Sequence, residues 1–170
     1  LNLNGTLRVM DDTIGGAGQG GGSALFQGEG GVLEFTADNS TISVSNGAGF
    51  EFITSATGGE GLSLGGRADA TPIVVSFTNT DVSGGLLSVT SRARGGNATA
   101  PNGAGGLANG GSIRLSLTDS DISFIGEVGI ISEAFGGNGG LVDGLGGNAV
   151  AGIVEMSAVR SSFEVSPFSG

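Results

Sequence analysis

The sequence predicts an all-β fold wound as a parallel β-helix, a solenoid of about four rungs of about forty residues each. Three observations predict it. Apolar residues recur in register down the chain. Each forty-residue row repeats the same internal order of short alternating segments. Each row then enters one long segment rich in Gly, Asn and Ala. Ile42, Val82, Ile122 and Phe163 form one column, at steps of 40, 40 and 41 residues. Seven residues earlier stand Phe35, Val75, Leu115 and Met156, and nine earlier stand Leu33, Ile73, Ile113 and Val154. These twelve residues are the expected stacking core. A repeated supersecondary unit buries its apolar face on its neighbours.

Each row opens with a period-two segment: Val32–Thr36, Ile73–Phe77, Ile113–Leu117 and Ile153–Met156. Alternation with β-branched and aromatic residues reads as strand. A polar corner follows, at 38–40, 78–80 and 118–120, whose column of Asn39, Asn79 and Asp119 suits positive φ. A stacked Asn there is expected to hydrogen-bond along the axis, and Arg160 interrupts the column. A second short strand runs through Ile42, Val82 and Ile122, and a further corner lies at 46–47 or 84–85. The third strand aligns Phe50 and Phe52 with Leu87 and Val89, then Val128 and Ile130, and at the start Leu7 and Val9. The row closes on a Gly doublet and a Gly-rich stretch, at 15–31, 57–71, 94–111 and 135–152. These stretches either stack as extended, polyproline-like segments that pair laterally or remain irregular surface loops. The expectation is therefore three short strands and one long loop per rung. Rows fall at approximately 1–31, 32–71, 72–111, 112–152 and 153–170, within a single domain. The alternative arrangement uses the same strands antiparallel, as a sandwich or stacked hairpins.

Composition bounds the function. The 170 residues include 37 Gly, and no Cys, His, Trp, Tyr or Lys, and the net charge is −10. That charge repels nucleic acid and anionic lipid, and no basic stripe offsets it. No apolar run approaches the ~20 residues of a membrane helix. No disulfide framework exists, which fits export of an unfolded chain as well as it fits a cytosolic one. The chain begins at Leu1 without an initiator Met, and is expected to be a piece of a longer protein.

Candidate chemistry is sparse. Asp81 and Asp121 share a column, with Asp119 beside the latter, so these three are the candidates for an acid pair or a calcium site. A solvated surface row is the competing reading. Gly139–Asp143 departs from the calcium nonapeptide pattern, lacking its third Gly. Gly15–Gly20 superficially matches a nucleotide loop, but no Lys or helix follows it. Asn4, Asn39 and Asn97 begin sequons that are read as coincidental. Ser43, Ser83 and Ser123 form an outward row such as any solvated face shows. A polysaccharide-active enzyme is disfavoured, because no aromatic platform of Trp or Tyr and no His is present.

Gly110-Gly111-Ser112-Ile113 through Ser120-Asp121-Ile122-Ser123, followed by Ala134-Phe135-Gly136-Gly137-Asn138-Gly139-Gly140, resembles the Gly-rich β-strand repeats of large bacterial surface proteins. The same plan recurs around Ser40–Ser43 and Thr80–Ser83. The pattern is similar to that of filamentous-haemagglutinin-type adhesins exported by type V pathways. The resemblance implies a right-handed coil, export to the cell surface and a passive role in adhesion or matrix; it carries over no catalytic residue. The expected function is a structural, non-enzymatic segment of an extracellular bacterial adhesin or surface fibre. Its expected partners are further copies, joined head to tail through open ends into filaments, and surface glycans. Neither nucleic acid nor membrane insertion is expected, and no cofactor is required. The alternatives are a carbohydrate-active enzyme and a calcium-dependent binding module.

Overall fold

The computed structural model describes residues 1–25, 31–45 and 47–167. Asn46 of the corner at 46–47 and residues 26–30 of the first Gly-rich stretch lie outside the described residues. Among the described residues the chain forms seventeen strands and no helix. A first pass contains β1 (Asn2–Leu3), β2 (Leu7–Ile14), β3 (Ala24–Leu25) and β4 (Leu33–Asp38). A second contains β5 (Thr41–Val44), β6 (Gly49–Thr57), β7 (Ala68–Asp69) and β8 (Ile73–Thr78). A third contains β9 (Asp81–Gly84), β10 (Leu86–Arg94), β11 (Ala108–Asn109) and β12 (Ile113–Thr118). The last contains β13 (Asp121–Ile125), β14 (Val128–Phe135), β15 (Ala149–Val150) and β16 (Val154–Val159), and β17 (Ser162–Ser166) follows.

Every fourth strand is a neighbour. One sheet runs β1-β5-β9-β13-β17, a second β14-β10-β6-β2, a third β15-β11-β7-β3 and a fourth β16-β12-β8-β4. All these pairings are parallel. The antiparallel sandwich is thereby excluded. The sheets are open, each with an unpaired edge on its first and last strand. Expecting three strands per row was an undercount: the long loop contains a fourth strand in each pass. At two residues it is too short to display any periodicity.

The expected columns are adjacent in space. Leu33, Ile73, Ile113 and Val154 are successive register partners, as are Phe35, Val75, Leu115 and Met156. Ile42, Val82, Ile122 and Phe163 form a third such row. The first, second and fourth sheets turn these columns onto one core, joined by Phe50, Phe52, Leu87, Val89, Leu117 and Phe124. Each fully buried aliphatic side chain there contributes roughly 1.5–3 kcal/mol. Gly84 interrupts an apolar column without leaving a void, because the rings of Phe124 and Phe50 lie 3.4–3.5 Å from where its Cβ would stand.

The far half of the second sheet packs differently. Ala56 and Ala93 meet Ala68, Ala70 and Ala108 in a separate, narrower core. A polar seam divides the two. Thr54 and Ser91, register neighbours with Asp11 and Ser132 in the same column, are fully buried. Thr54 Oγ1 donates to the Thr71 carbonyl at 2.8 Å, and Ser91 Oγ accepts from Gly111 N at 2.9 Å. Ser132 Oγ repeats the contact one layer on, accepting from Gly152 N at 2.8 Å. Buried hydroxyls are tolerable only with such partners.

The Gly-rich stretches stack. The outgoing doublets at 58–59, 95–96 and 136–137 alternate along the axis with the returning doublets at 21–22, 65–66, 105–106 and 146–147. One chain of bonds links them: Gly59 N to Gly22 O, Gly66 N to Gly59 O, Gly96 N to Gly66 O, Gly106 N to Gly96 O, Gly137 N to Gly106 O and Gly147 N to Gly137 O, each 2.8–2.9 Å. Extended Gly backbone has its N–H and C=O groups free for lateral pairing, and this zigzag satisfies them.

At the corner, Asn39, Asn79, Asp119 and Arg160 all take positive φ, between 45° and 50°. Arg160 therefore continues the backbone column that its side chain seemed to interrupt. The side-chain ladder expected of Asn39 and Asn79 runs instead one residue later. Thr80 N donates to Ser120 Oγ at 3.1 Å and Ser120 N to Ser161 Oγ at 3.0 Å, with each hydroxyl turned back to the carbonyl two residues before. Hydroxyls are short enough to sit inside the corner, where Thr80 and Ser120 are buried.

Candidate functional site

Three places could carry function: the acidic corner, the sheet edges and the outer flank of the second sheet. The acidic corner is built by β9, β13 and the turn before β13. Asp81 and Asp121 are register partners, flanked by Thr41 and Ser162. Ser162 Oγ donates to Asp121 Oδ1 at 2.6 Å. Asp119 stands apart from this pair: Arg160 reaches it through Nε at 2.5 Å and Nη2 at 2.6 Å. These hydrogen bonds hold the Asp119 carboxyl below its ordinary value, against an opposing desolvation and with the guanidinium charge adding to the lowering, and they raise Arg160. Among the described residues, no group of three or more Asp or Glu side chains is placed to hold a metal ion. The three candidate calcium residues are thus a register pair, of which Asp121 accepts a Ser162 hydroxyl, plus an ion-paired carboxylate, and they do not converge on one metal position.

The last layer exposes what the middle layers bury. Ile73, Val75, Ile113 and Leu115 are at most 1% exposed, whereas Val154 and Met156, in the same columns on the edge strand β16, are 44% and 46% exposed. Phe163 on β17 and Phe35 on β4 are half-buried against the core. Ile153, Val159 and Val165 are also exposed on this last layer. Ile42, Val82 and Ile122 are buried, as is Leu33.

Arginines tie successive layers together: on the flank of the second sheet Arg8 to Glu51 at 2.9 Å and Arg92 to Glu133 at 2.8 Å, on the fourth sheet Arg114 to Glu155 at 2.8 Å, and at the corner Arg160 to Asp119. Arg67, just before β7, pairs with Asp69 within the same layer at 2.9 Å. Exposed pairs of this kind contribute about 0–1 kcal/mol each. Among the described residues Arg94 is the one arginine in no ion pair. Its register neighbours are Thr57 and Phe135, the latter 52% exposed. Arg94 and Phe135 line a concavity of about 550 Å³ together with Arg92, Glu133, Asn97 and Asn138. Asn97 Oδ1 accepts the Asn138 N–H at 2.9 Å, which fixes that amide and directs its Nδ2 donors to other partners. Sequence reading missed this grouping, although aligning Ala93 with Ala134 already places Arg94 beside Phe135.

No family model, curated protein or solved structure matches this chain.

Proposed function

We propose that this chain is a structural, non-enzymatic segment of an extracellular bacterial adhesin or surface fibre, wound as a right-handed parallel β-helix that joins further copies end to end. The observation that carries the reading is the stack itself: four passes in the same order, in register, with unpaired strands at both ends and an open apolar column on β16. Unpaired parallel edges are templates for another strand. A second copy is the occupant that fits, because β4 presents Leu33 and Phe35 in the columns where β16 presents Val154 and Met156. A heterologous contact of this kind repeats and yields filaments. It brings Glu155 near Glu34 of the next copy, a like-charge contact that Arg114 already offsets through its bond to Glu155. The chain's negative charge argues against nucleic acid as partner. Among the described residues no helix is long and apolar enough to cross a membrane.

Sedimentation and electron microscopy of the purified chain test the proposal. Elongated, concentration-dependent assemblies that tighten with added salt and dissolve on Met156→Asp are expected. Monomers at all concentrations and salt levels overturn end-to-end joining.

A further inference from the structure

We propose that the concavity on the flank of the second sheet binds one anionic pyranose unit of an acidic polysaccharide, held between Arg94 and the ring of Phe135. This goes beyond the structural role above and holds whether or not copies associate.

The chain has six arginines against sixteen acidic residues. Five arginines are neutralised by carboxylates of the chain itself. Arg94 is exposed on β10 and keeps its five N–H donors for an external group. A guanidinium offers a planar fork to a carboxylate or sulfate, with two parallel hydrogen bonds. The concavity contains Arg92, Arg94 and Glu133, so it is locally cationic on a strongly anionic molecule. Arg92 is held in place by Glu133 and retains Nη donors.

Charge alone would suit any small anion. The second component is apolar. The Phe135 side chain is half-exposed on the layer directly above Arg94, where its ring has no buried neighbour among the stacked aromatic pairs of the core. A pyranose combines an apolar C–H face, which such a ring covers, with an equatorial rim of hydroxyls. Asn97 and Asn138 supply amide donors and acceptors at that rim, one layer apart. Few convergent polar groups beside one apolar platform is the usual composition of a small-ligand site. An acidic peptide would use the guanidinium but has no need of the ring or of paired amides.

The test is titration of the intact chain with a short oligohexuronate, followed by NMR shifts of the Arg94, Asn97 and Asn138 side chains. A carboxyl-reduced neutral oligosaccharide, a sulfated one and oligoglutamate are run in parallel. Arg94→Gln and Phe135→Leu each are expected to weaken oligohexuronate binding by about tenfold or more, while Arg8→Gln, with the same change in net charge, stays within about twofold. Phe135→Leu retains an apolar side chain, so loss of binding reports the ring rather than the fold, and melting curves verify this. Equal binding of the sulfated probe means that either acid is accepted; weaker binding restricts the site to carboxylates. Binding of the neutral probe as tight as the acidic one, equal losses in Arg94→Gln and Arg8→Gln, oligoglutamate binding untouched by Phe135→Leu, or no saturable shift overturns the proposal.

Discussion

Replacing Gly96 by alanine is expected to destabilise the fold strongly, as one of several interior Gly positions where neighbouring backbone leaves no room for a Cβ. A Cβ at this position would stand 2.0 Å from Gly59 O and 2.7 Å from Gly59 C, both backbone atoms of the neighbouring layer. Ordinary contact begins at 3.4 Å, so the two segments must separate by 1.4 Å. No flexible side chain can yield, and the spacing of the layers is set by the flanking sheets at ~4.8 Å. The displacement breaks the bonds from Gly96 N to Gly66 O and from Gly106 N to Gly96 O, each 2.8 Å long. Each contributes about 0.5–1.5 kcal/mol net. Overpacking strain adds roughly 1–3 kcal/mol, and the stiffer unfolded chain returns about 0.4–1 kcal/mol. The net loss is about 1–6 kcal/mol, which for a chain of this length lowers Tm by roughly 2–20 °C. The control is Gly129→Ala on β14, where nothing lies within 4 Å of the added Cβ. It should raise stability by about 0.4–1 kcal/mol through the unfolded state alone. Both are read by calorimetry or circular dichroism. If Gly96→Ala melts with the parent chain, the close Gly–Gly approach does not exist.

Four further outcomes follow from the same geometry. Leu115→Ala, at 1% exposure, should cost about 2–5 kcal/mol in denaturant melts. Met156→Ala in the same column should cost under about 1 kcal/mol in the isolated monomer, its site being open. Ser91→Ala orphans the Gly111 N–H, removes one acceptor of the Thr54 hydroxyl, and should cost about 1–3 kcal/mol, with faster amide exchange at Gly111. Asp119 should titrate below its ordinary value of 3.8, and Arg160→Gln should return it there by NMR titration. Because its folded value is depressed, the stability it contributes is complete above 3.8 and is lost as pH falls through the folded value. The melting difference between the parent and Arg160→Gln should therefore vanish in strong acid.

The parts of the structure legible in the sequence are those with repeated inward periodicity. Ile42, Val82 and Ile122 advertise their register because each is flanked by polar residues at period two. The same alternation points Thr54 and Ser91 inward between Phe52 and Ala56 or Val89 and Ala93, so the polar seam was readable, though its partners were not. Thr71 and Gly111 come from a different part of the pass. Asn39 and Asn79 signalled the corner's positive φ, yet Arg160 adopts it equally, because the stacked backbone bonds at Asp119 N and its equivalents impose the conformation.

Sequence by itself determined the three longer strands of each pass, their order and their stacking columns, because alternation and a forty-residue recurrence are properties of single residues and their spacing. Only the tertiary structure decided that the Gly-rich stretches interlock, that each holds a fourth strand, and that Arg94 stands beside Phe135 in a concave flank without an ion pair among the described residues. Those features depend on distances between segments that share no periodic pattern. Backbone approach, curvature and the competition of arginines for carboxylates arise only once the layers are in place.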